Sequence, residues 1–150
     1  MTEAIRRQPT ILITGSGGQI GVELTQRLGE TEVFPLGRSA LDVTSSAAID
    51  RVMDDIRPDV VIHTAALTDP EICERDRAAA HRVNVVGAWN VARAVARSKS
   101  EMVLLSTAYV FDGEKLGPYR EYDEAQPINT YGASKLSGER AARQALDRLY

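Results

Sequence analysis

The sequence predicts an α/β fold, a doubly wound parallel sheet with helices on both faces. Short runs of apolar, β-branched residues alternate with stretches whose apolar residues recur at helical spacing. The runs are continuously apolar, which is typical of strands buried on both faces. Strands that alternate with helices favour parallel pairing, because each connection between parallel strands needs a crossover. At 150 residues the chain has the length of one domain.

Five segments are predicted to be strands, the third of them very short. They are residues 10–14 (TILIT), 32–36 (EVFPL), 40–43 (ALDV), 59–64 (DVVIHT) and 101–106 (EMVLLS). Helices are predicted after the glycine-rich turn 15–21, around the apolar stripe 49–56, and over 78–98 and 131–150, with a polar loop at 112–127. The alternation places a further strand directly after Tyr150, so we expect the domain to be incomplete at its C-terminal end.

Composition and charge narrow the function classes. The formal net charge of −3 argues against a nucleic-acid partner held by a basic surface. The longest apolar runs are about five residues, far short of the roughly 20 that a membrane span needs. Residues 1–9 are polar and precede no signal-peptide core, so we expect a flexible N-terminal tail. One cysteine, Cys73, excludes an internal disulfide and favours a reducing cytoplasm.

A glycine loop directly follows the first predicted strand and opens a helix. In it, Gly15 suits a tight turn, Gly18 lets the backbone approach a pyrophosphate, and Gly21 allows close helix–strand packing. The free N–H groups of the helix start would hold the phosphates. The alternative is a strand–helix turn that binds nothing. We favour the phosphate-binding interpretation, which makes residues 10–150 a Rossmann-type NAD(P)-binding domain. We expect no metal site.

The residues after the second predicted strand bear on the choice of cofactor. An NAD-binding protein often has an acidic residue there, which contacts the ribose 2′-hydroxyl. This chain has Arg38 and Ser39 instead, and a guanidinium with a hydroxyl suits a 2′-phosphate. The sequence therefore favours NADP(H), with NAD(H) still possible. Asp42 follows, and it would either contact the adenine or end a short strand.

The predicted catalytic pair is Tyr131 and Lys135, at the start of the last helix. A spacing of four residues places both side chains on one helix face. The lysine ammonium favours the phenolate, so the tyrosine becomes a better proton donor to a carbonyl that receives hydride. Ser106 and Thr107 end the last strand, where ligands of open α/β sheets bind, and Thr107 could donate to the same carbonyl oxygen. Asn84, on the long helix, would either bridge neighbouring strands or lie exposed.

Together these motifs resemble the extended short-chain dehydrogenases, and within them the dTDP-4-dehydrorhamnose reductase family. The matching stretches are residues 15–21 (GSGGQIG), 41–44 (LDVT), 58–66 (PDVVIHTAA), 83–87 (VNVVG), 106–113 (STAYVFDG), 118–121 (PYRE) and 131–139 (YGASKLSGE). The resemblance implies that NAD(P)H reduces the 4-keto group of a nucleotide-linked deoxysugar. It implies Tyr131 as acid, Lys135 as its partner and Thr107 as carbonyl donor. Its cofactor-contacting positions include, besides the glycines, Gln19, Ile20, Asp42, Val43, Ala65, Ala66, Tyr131 and Lys135.

Departures from the family pattern keep two alternatives open. Ala108 stands where the family usually has Asp, and Leu67 with residues 69–71 departs from its usual Tyr-Thr-x-Val-Asp. A sugar-nucleotide epimerase or dehydratase uses the same Tyr–Lys pair, although a dehydratase would want an acid near position 108. A non-catalytic NADP-binding regulatory subunit would keep the nucleotide site. The resemblance also implies that the family's C-terminal substrate-binding part is missing from this chain. As partners we expect a sugar-nucleotide substrate, neither nucleic acid nor membrane, and leave a homodimer open.

Overall fold

Four parallel strands form one sheet in the computed structural model, which describes residues 7–29 and 31–150. The strands are β1 Thr10–Thr14, β2 Glu32–Leu36, β3 Val60–His63 and β4 Glu101–Leu104, and their spatial order is β2-β1-β3-β4. The register places Thr14 beside both Leu36 and His63, so the carboxyl ends of three strands meet at one edge. The predicted parallel α/β fold is confirmed.

Six α-helices connect and follow the strands in the described residues. They are α1 Gln19–Arg27, α2 Ser46–Ile56, α3 Pro70–Arg75, α4 Arg77–Ala80, α5 Gly87–Ser98 and α6 Thr130–Ala145. A π-helical segment, His81–Val86, joins α4 to α5, and a 3-10 turn, Ala108–Val110, follows β4. Ser45 and Asn129 cap α2 and α6 by accepting the amide N–H three residues further on. No helix in the described part of the chain is long and apolar enough to cross a membrane.

The strand order separates α1 from the later helices. The step from β1 to β2 runs one way along the sheet, and the next two steps run the other way. Right-handed crossovers therefore place α1 on one face and α2 and α5 on the other. Helix α5 contacts both α2 and α6. The core between these helices and the sheet is apolar and fully buried, and includes Leu12, Ile49, Met53, Val61, Val91, Val95, Met102 and Ala142.

The prediction of a short strand at 40–43 is wrong. The segment is a turn, because the amides of Ala40 and Leu41 both donate to the Gly37 carbonyl, at 3.0 and 2.9 Å. The carbonyl of Val43, which a strand would offer to a neighbour, accepts instead from the Asn90 side chain at 3.2 Å. Leu41 and Val43 are apolar because they anchor the turn in the core, where both are buried.

Two predicted helices differ from the structure, one in its winding and the other in where it ends. The predicted helix 78–98 is helical throughout, but residues 81–86 in its first half form the π-helical segment. The last helix ends at Ala145 rather than at residue 150. Beyond it, the Tyr150 amide donates to the Met102 carbonyl at 3.0 Å, and the Tyr150 carbonyl accepts from the Leu104 amide at 2.7 Å. This is the bonding pattern of a parallel neighbour of β4.

The predicted tail is described only in part. Residues 1–6 lie outside the described residues, and 7–9 are exposed and belong to no helix or strand. The Arg7 guanidinium donates to the Asp59 carboxylate at 3.2 Å, and the Thr10 amide donates to the same oxygen at 2.8 Å. The chain therefore enters β1 tied to the residue that precedes β3.

A buried polar pair joins the carboxyl ends of β1 and β3. His63 is 2% exposed, and its Nδ1 lies 2.7 Å from the Thr14 hydroxyl oxygen. Burial lowers the pKa of His63 to about 3, and the nearby positive charge of Lys135 acts in the same direction. The folded protein therefore holds this imidazole neutral.

The buried imidazole predicts a pH dependence of stability. Between about pH 3 and pH 6.5 the unfolded chain binds a proton at His63 that the folded chain does not. The contribution of His63 to the free energy of unfolding is therefore highest above its unfolded-state pKa. As the pH falls below that pKa, this contribution decreases by up to about 1.4 kcal/mol per pH unit. Urea unfolding between pH 4 and 7 should show a shallower pH slope for His63→Asn, which keeps a neutral partner for Thr14. Equal slopes for the two proteins would contradict the assignment.

The residue that ends α5 predicts a second effect on the free energy of unfolding. Lys99, after α5, has a φ of 59° in the left-handed region, where a Cβ is unfavourable. We expect Lys99→Gly to raise the free energy of unfolding by about 0.5–1 kcal/mol, as measured by urea denaturation. Lys99→Ala is the matched control, since it removes the same side chain but keeps the Cβ. The idea fails if the glycine variant is no more stable than the alanine variant.

Candidate active site

A groove of about 820 Å³ lies at the carboxyl edge of the sheet. It is built from the glycine loop, the turn after β2, the segment after β3 and the start of the π-helical segment. The groove brings together ten residues that the sequence predicts at a cofactor, namely Gly15, Gly18, Gln19, Ile20, Gly21, Arg38, Asp42, Val43, Ala65 and Ala66. Ser39, Tyr131 and Lys135, also predicted there, are not part of its lining.

The glycine loop packs more closely than any side chain would allow. Gly15 has a φ of +73°, and a Cβ on it would lie 2.5 Å from the Ala65 nitrogen. A Cβ on Gly21 would lie 2.6 Å from the Gly15 carbonyl oxygen. The helix start is Gly18, which offers no capping side chain to the first turn of α1. The loop therefore leaves backbone N–H groups at the helix start without a capping side chain, beside the groove.

The turn after β2 places opposite charges on the rim of the groove. Arg38 and Asp42 are both exposed and line it, whereas Ser39 is exposed outside it. Asp42 Oδ1 accepts from the Thr44 hydroxyl at 2.8 Å and the Thr44 amide at 2.9 Å. These two hydrogen bonds, helped by the Arg38 charge, lower the pKa of Asp42. The carboxylate is thus fixed in orientation and ionised at neutral pH.

Asn84 links the segment after β3 to α6. Its side chain is buried, accepts from the Leu67 amide at 2.8 Å, and donates to the Leu67 carbonyl at 3.0 Å and the Ser134 hydroxyl at 2.8 Å. The prediction that Asn84 bridges neighbouring strands is wrong, because its partners are a loop and a helix. The hydroxyl of Ser134 in turn donates to the Tyr131 carbonyl at 2.8 Å. Asn84 therefore connects the wall of the groove to the first turn of α6.

The π-helical segment also brings a cation to the groove that the sequence reasoning missed. Arg82 is exposed and lies in the lining, with Val83 beside it. The Gly87 amide donates to the Arg82 carbonyl, a bond spanning five residues instead of four. A regular helical period read along 78–98 does not reveal this shift, and no other signal in the sequence marks Arg82.

The predicted catalytic pair is buried on one face of α6. Tyr131 and Lys135 are 9% and 7% exposed. Lys135 Nζ donates to the Leu105 carbonyl, 2.5 Å away, just after β4. Burial lowers the pKa of Lys135, and the Glu139 carboxylate one turn along the helix opposes that shift. The ring of Tyr131 meets Tyr109 edge-on, with centroids 5.6 Å apart.

Thr107 lies two residues beyond the carbonyl that Lys135 contacts. Its hydroxyl accepts from the Tyr109 amide at 3.3 Å and begins the 3-10 turn. This turn packs tightly on α6, since a Cβ on Gly132 would lie 2.0 Å from the Tyr109 carbonyl oxygen. The structure therefore joins the Thr107 segment to the helix of Tyr131 and Lys135, at the same sheet edge as the groove. A proton donor, an ammonium and a hydroxyl in this arrangement can act on a carbonyl group.

Known proteins share both the sequence and the fold of this chain. The family model described as the RmlD substrate binding domain matches residues 9–150. A dTDP-4-dehydrorhamnose reductase of Burkholderia thailandensis is 43% identical over 135 residues, which make up 89% of this chain and 45% of the relative. One of Mycobacterium tuberculosis is 39% identical over 145 residues, covering 93% of this chain and 47% of the relative.

A solved structure agrees over nearly the whole chain. The dTDP-4-dehydrorhamnose reductase of Bacillus anthracis, in complex with NADP, superposes with a TM-score of 0.93 at 35% identity, covering 99% of this chain and 53% of that one. This chain spans about half the length of the curated relatives it matches. The match of the family model over residues 9–150 agrees with the motifs and the fold, and the chain therefore belongs to the RmlD substrate binding domain family.

Proposed function

We propose that this chain forms the cofactor-binding part of an NAD(P)H-dependent reductase that acts on the 4-keto group of a nucleotide-linked deoxysugar. One observation carries the proposal: the same sheet edge holds a glycine-lined groove and the buried pair of Tyr131 and Lys135. The names of the relatives support it, since those from B. thailandensis and M. tuberculosis are dTDP-4-dehydrorhamnose reductases.

The groove fits a dinucleotide. Side chains on Gly15 or Gly21 would collide with backbone, so at these two positions the loop offers only its main chain to a pyrophosphate. The start of α1 has no capping side chain, which leaves its N–H groups for phosphate oxygens. Arg38 on the rim suits a 2′-phosphate, so NADP(H) is the favoured cofactor. The NADP complex of the B. anthracis reductase supports this choice.

The residues of α6 and the Thr107 segment would carry out the proton chemistry. When bound, the reduced nicotinamide supplies the hydride. Tyr131 gives its phenolic proton to the carbonyl oxygen of the substrate, and Thr107 donates a hydrogen bond to the same atom. The ammonium of Lys135, held against the Leu105 carbonyl, stabilises the phenolate that Tyr131 leaves behind. The low exposure of Tyr131 and Lys135 keeps water from screening this interaction.

Ala108 weighs against the dehydratase chemistry of related enzymes, which would want an acid near this position. It lies exposed in the 3-10 turn directly after Thr107, and it offers no acid to the substrate. Reduction needs only one proton donor at the carbonyl oxygen, which Tyr131 provides.

The choice of cofactor can be tested at Arg38. We expect Arg38→Ala to weaken NADPH binding by about tenfold or more and to leave NADH binding nearly unchanged, because only NADPH presents a 2′-phosphate to the guanidinium. Isothermal titration calorimetry with both cofactors measures the two effects. Arg27→Ala is the control, since that exposed arginine pairs with Glu23 on the far end of α1. An equal loss for both cofactors would count against a 2′-phosphate contact.

The catalytic role is tested by Tyr131→Phe in the chain at its natural length. We expect turnover of a 4-keto deoxysugar nucleotide, followed as NADPH oxidation, to fall by about 10²–10⁴-fold, because the proton donor is lost. NADPH should still protect the variant against thermal unfolding. Tyr122→Phe, a change at a tyrosine that is 74% exposed, should leave turnover unchanged. Unimpaired turnover by the Tyr131 variant would disprove the catalytic assignment.

A further inference from the structure

Two side chains of α6 bind consecutive residues after β4. Lys135 Nζ donates to the Leu105 carbonyl at 2.5 Å, and the Ser106 hydroxyl donates to the Glu139 carboxylate. Lys135 and Glu139 are four residues apart, so they project from the same face of α6 one turn from each other. The next residue of the chain is Thr107, whose hydroxyl the proposed reaction uses.

The sheet itself does not hold this segment. Its last backbone bond to the sheet runs from the Leu105 amide to the His63 carbonyl, at 3.3 Å. The next backbone bond in this part of the described chain is the Val110 amide to the Thr107 carbonyl, inside the 3-10 turn. Between those two bonds, the hydrogen bonds between Leu105 and Lys135 and between Ser106 and Glu139 tie the described chain to α6.

The charge of Glu139 also acts on Lys135, whose pKa it raises. The titratable groups that bear on Lys135 are Glu139 on its own helix and His63 on β3, with Tyr131 one turn earlier. Burial holds His63 neutral, so its imidazole adds no charge to balance the ammonium. The carboxylate of Glu139 is thus the negative charge acting on a lysine that is 7% exposed.

We propose that Glu139 is a positioning residue of the active site, which holds the Thr107 segment through Ser106 and places a carboxylate one helical turn from Lys135 on the same face of α6. The inference rests on the proposed reductase function. Glu139 itself need not touch the substrate, because its two effects pass through Ser106 and Lys135.

Three variants separate the hydrogen bond from the charge. Glu139→Gln keeps an oxygen that accepts from Ser106 but removes the charge. Ser106→Ala removes the hydrogen bond and keeps the charge, and Glu139→Ala removes both. Glu101→Gln and Ser137→Ala are matched controls, because Glu101 lies exposed at the other end of β4 and Ser137 donates to a carbonyl of its own helix.

The kinetic readout is the pH profile of turnover in the chain at its natural length. We expect Ser106→Ala to lower kcat by about tenfold without moving the profile, with the KM for NADPH unchanged. Glu139→Gln should shift the basic limb to lower pH, since losing the carboxylate lowers the pKa of Lys135 further. Glu139→Ala should show both effects. Wild-type kcat and pH profile in all three variants would overturn the proposal, as would losses that only follow lowered thermal stability.

A second readout needs no turnover. Hydrogen exchange of the amides of residues 107–110 should be faster in Ser106→Ala and Glu139→Ala, and close to wild type in Glu139→Gln and the controls. If the wild-type protein reduces no keto sugar, the proposed function fails, and this measurement then decides by itself whether Glu139 holds the segment. Unchanged exchange in the alanine variants would refute that role.

Discussion

The positions of the candidate catalytic side chains depend on how α6 packs against the π-helical segment. The Asn84 side chain satisfies the loop after β3 and the Ser134 hydroxyl at the same time. Its main chain lies so close to α6 that a Cβ on Gly138 would be 2.2 Å from the Asn84 carbonyl oxygen. Burying the Asn84 amide costs free energy unless all its hydrogen-bond partners are present. The loop after β3, the π-helical segment and α6 must therefore adopt their positions together. Because Tyr131 and Lys135 lie on α6, this packing also fixes where their backbone lies.

Apart from Thr10, at the other end of β1, most buried polar side chains of the described residues lie toward the carboxyl edge of the sheet. Thr14 and His63 pair there, Lys135 contacts the carbonyl of Leu105, and Asn84 bridges loop and helix. Each group has a partner, and no buried side-chain nitrogen or oxygen in the described residues lacks one. The apolar cluster that includes Leu12, Ile49 and Val91 packs the helices against the sheet.

The sequence predicted those features that follow from local patterns. A strand, a glycine turn and a helix in succession placed Gly15, Gly21 and the groove correctly, because the sterics of that turn are set by neighbouring residues. The spacing of Tyr131 and Lys135 also sufficed to place them on one helix face. Residues 40–43 misled, since the apolar pattern of a buried turn is the same as that of a short strand.

Features that join distant segments could not be read in this way. Asn84 meets partners 17 and 50 residues away, and the winding of its helix shifts within one turn. Periodicity averaged over the whole helix hides that shift, so the placement of Arg82 in the groove was missed. Ser39 was expected beside Arg38 because the two are adjacent in sequence, yet the turn sends only the arginine to the groove.

The π-helical segment has a consequence for how the chain tolerates changes in length. A π turn contains one residue more than the α turn it replaces, and one residue of an α-helix corresponds to a rotation of about 100°. Deleting a residue within His81–Val86 would therefore turn the side chains before the deletion by that angle relative to α5. The apolar stripe of α5 and the groove-facing Arg82 could not both keep their neighbours. This stretch should therefore tolerate a substitution at the exposed His81 better than any change in its number of residues.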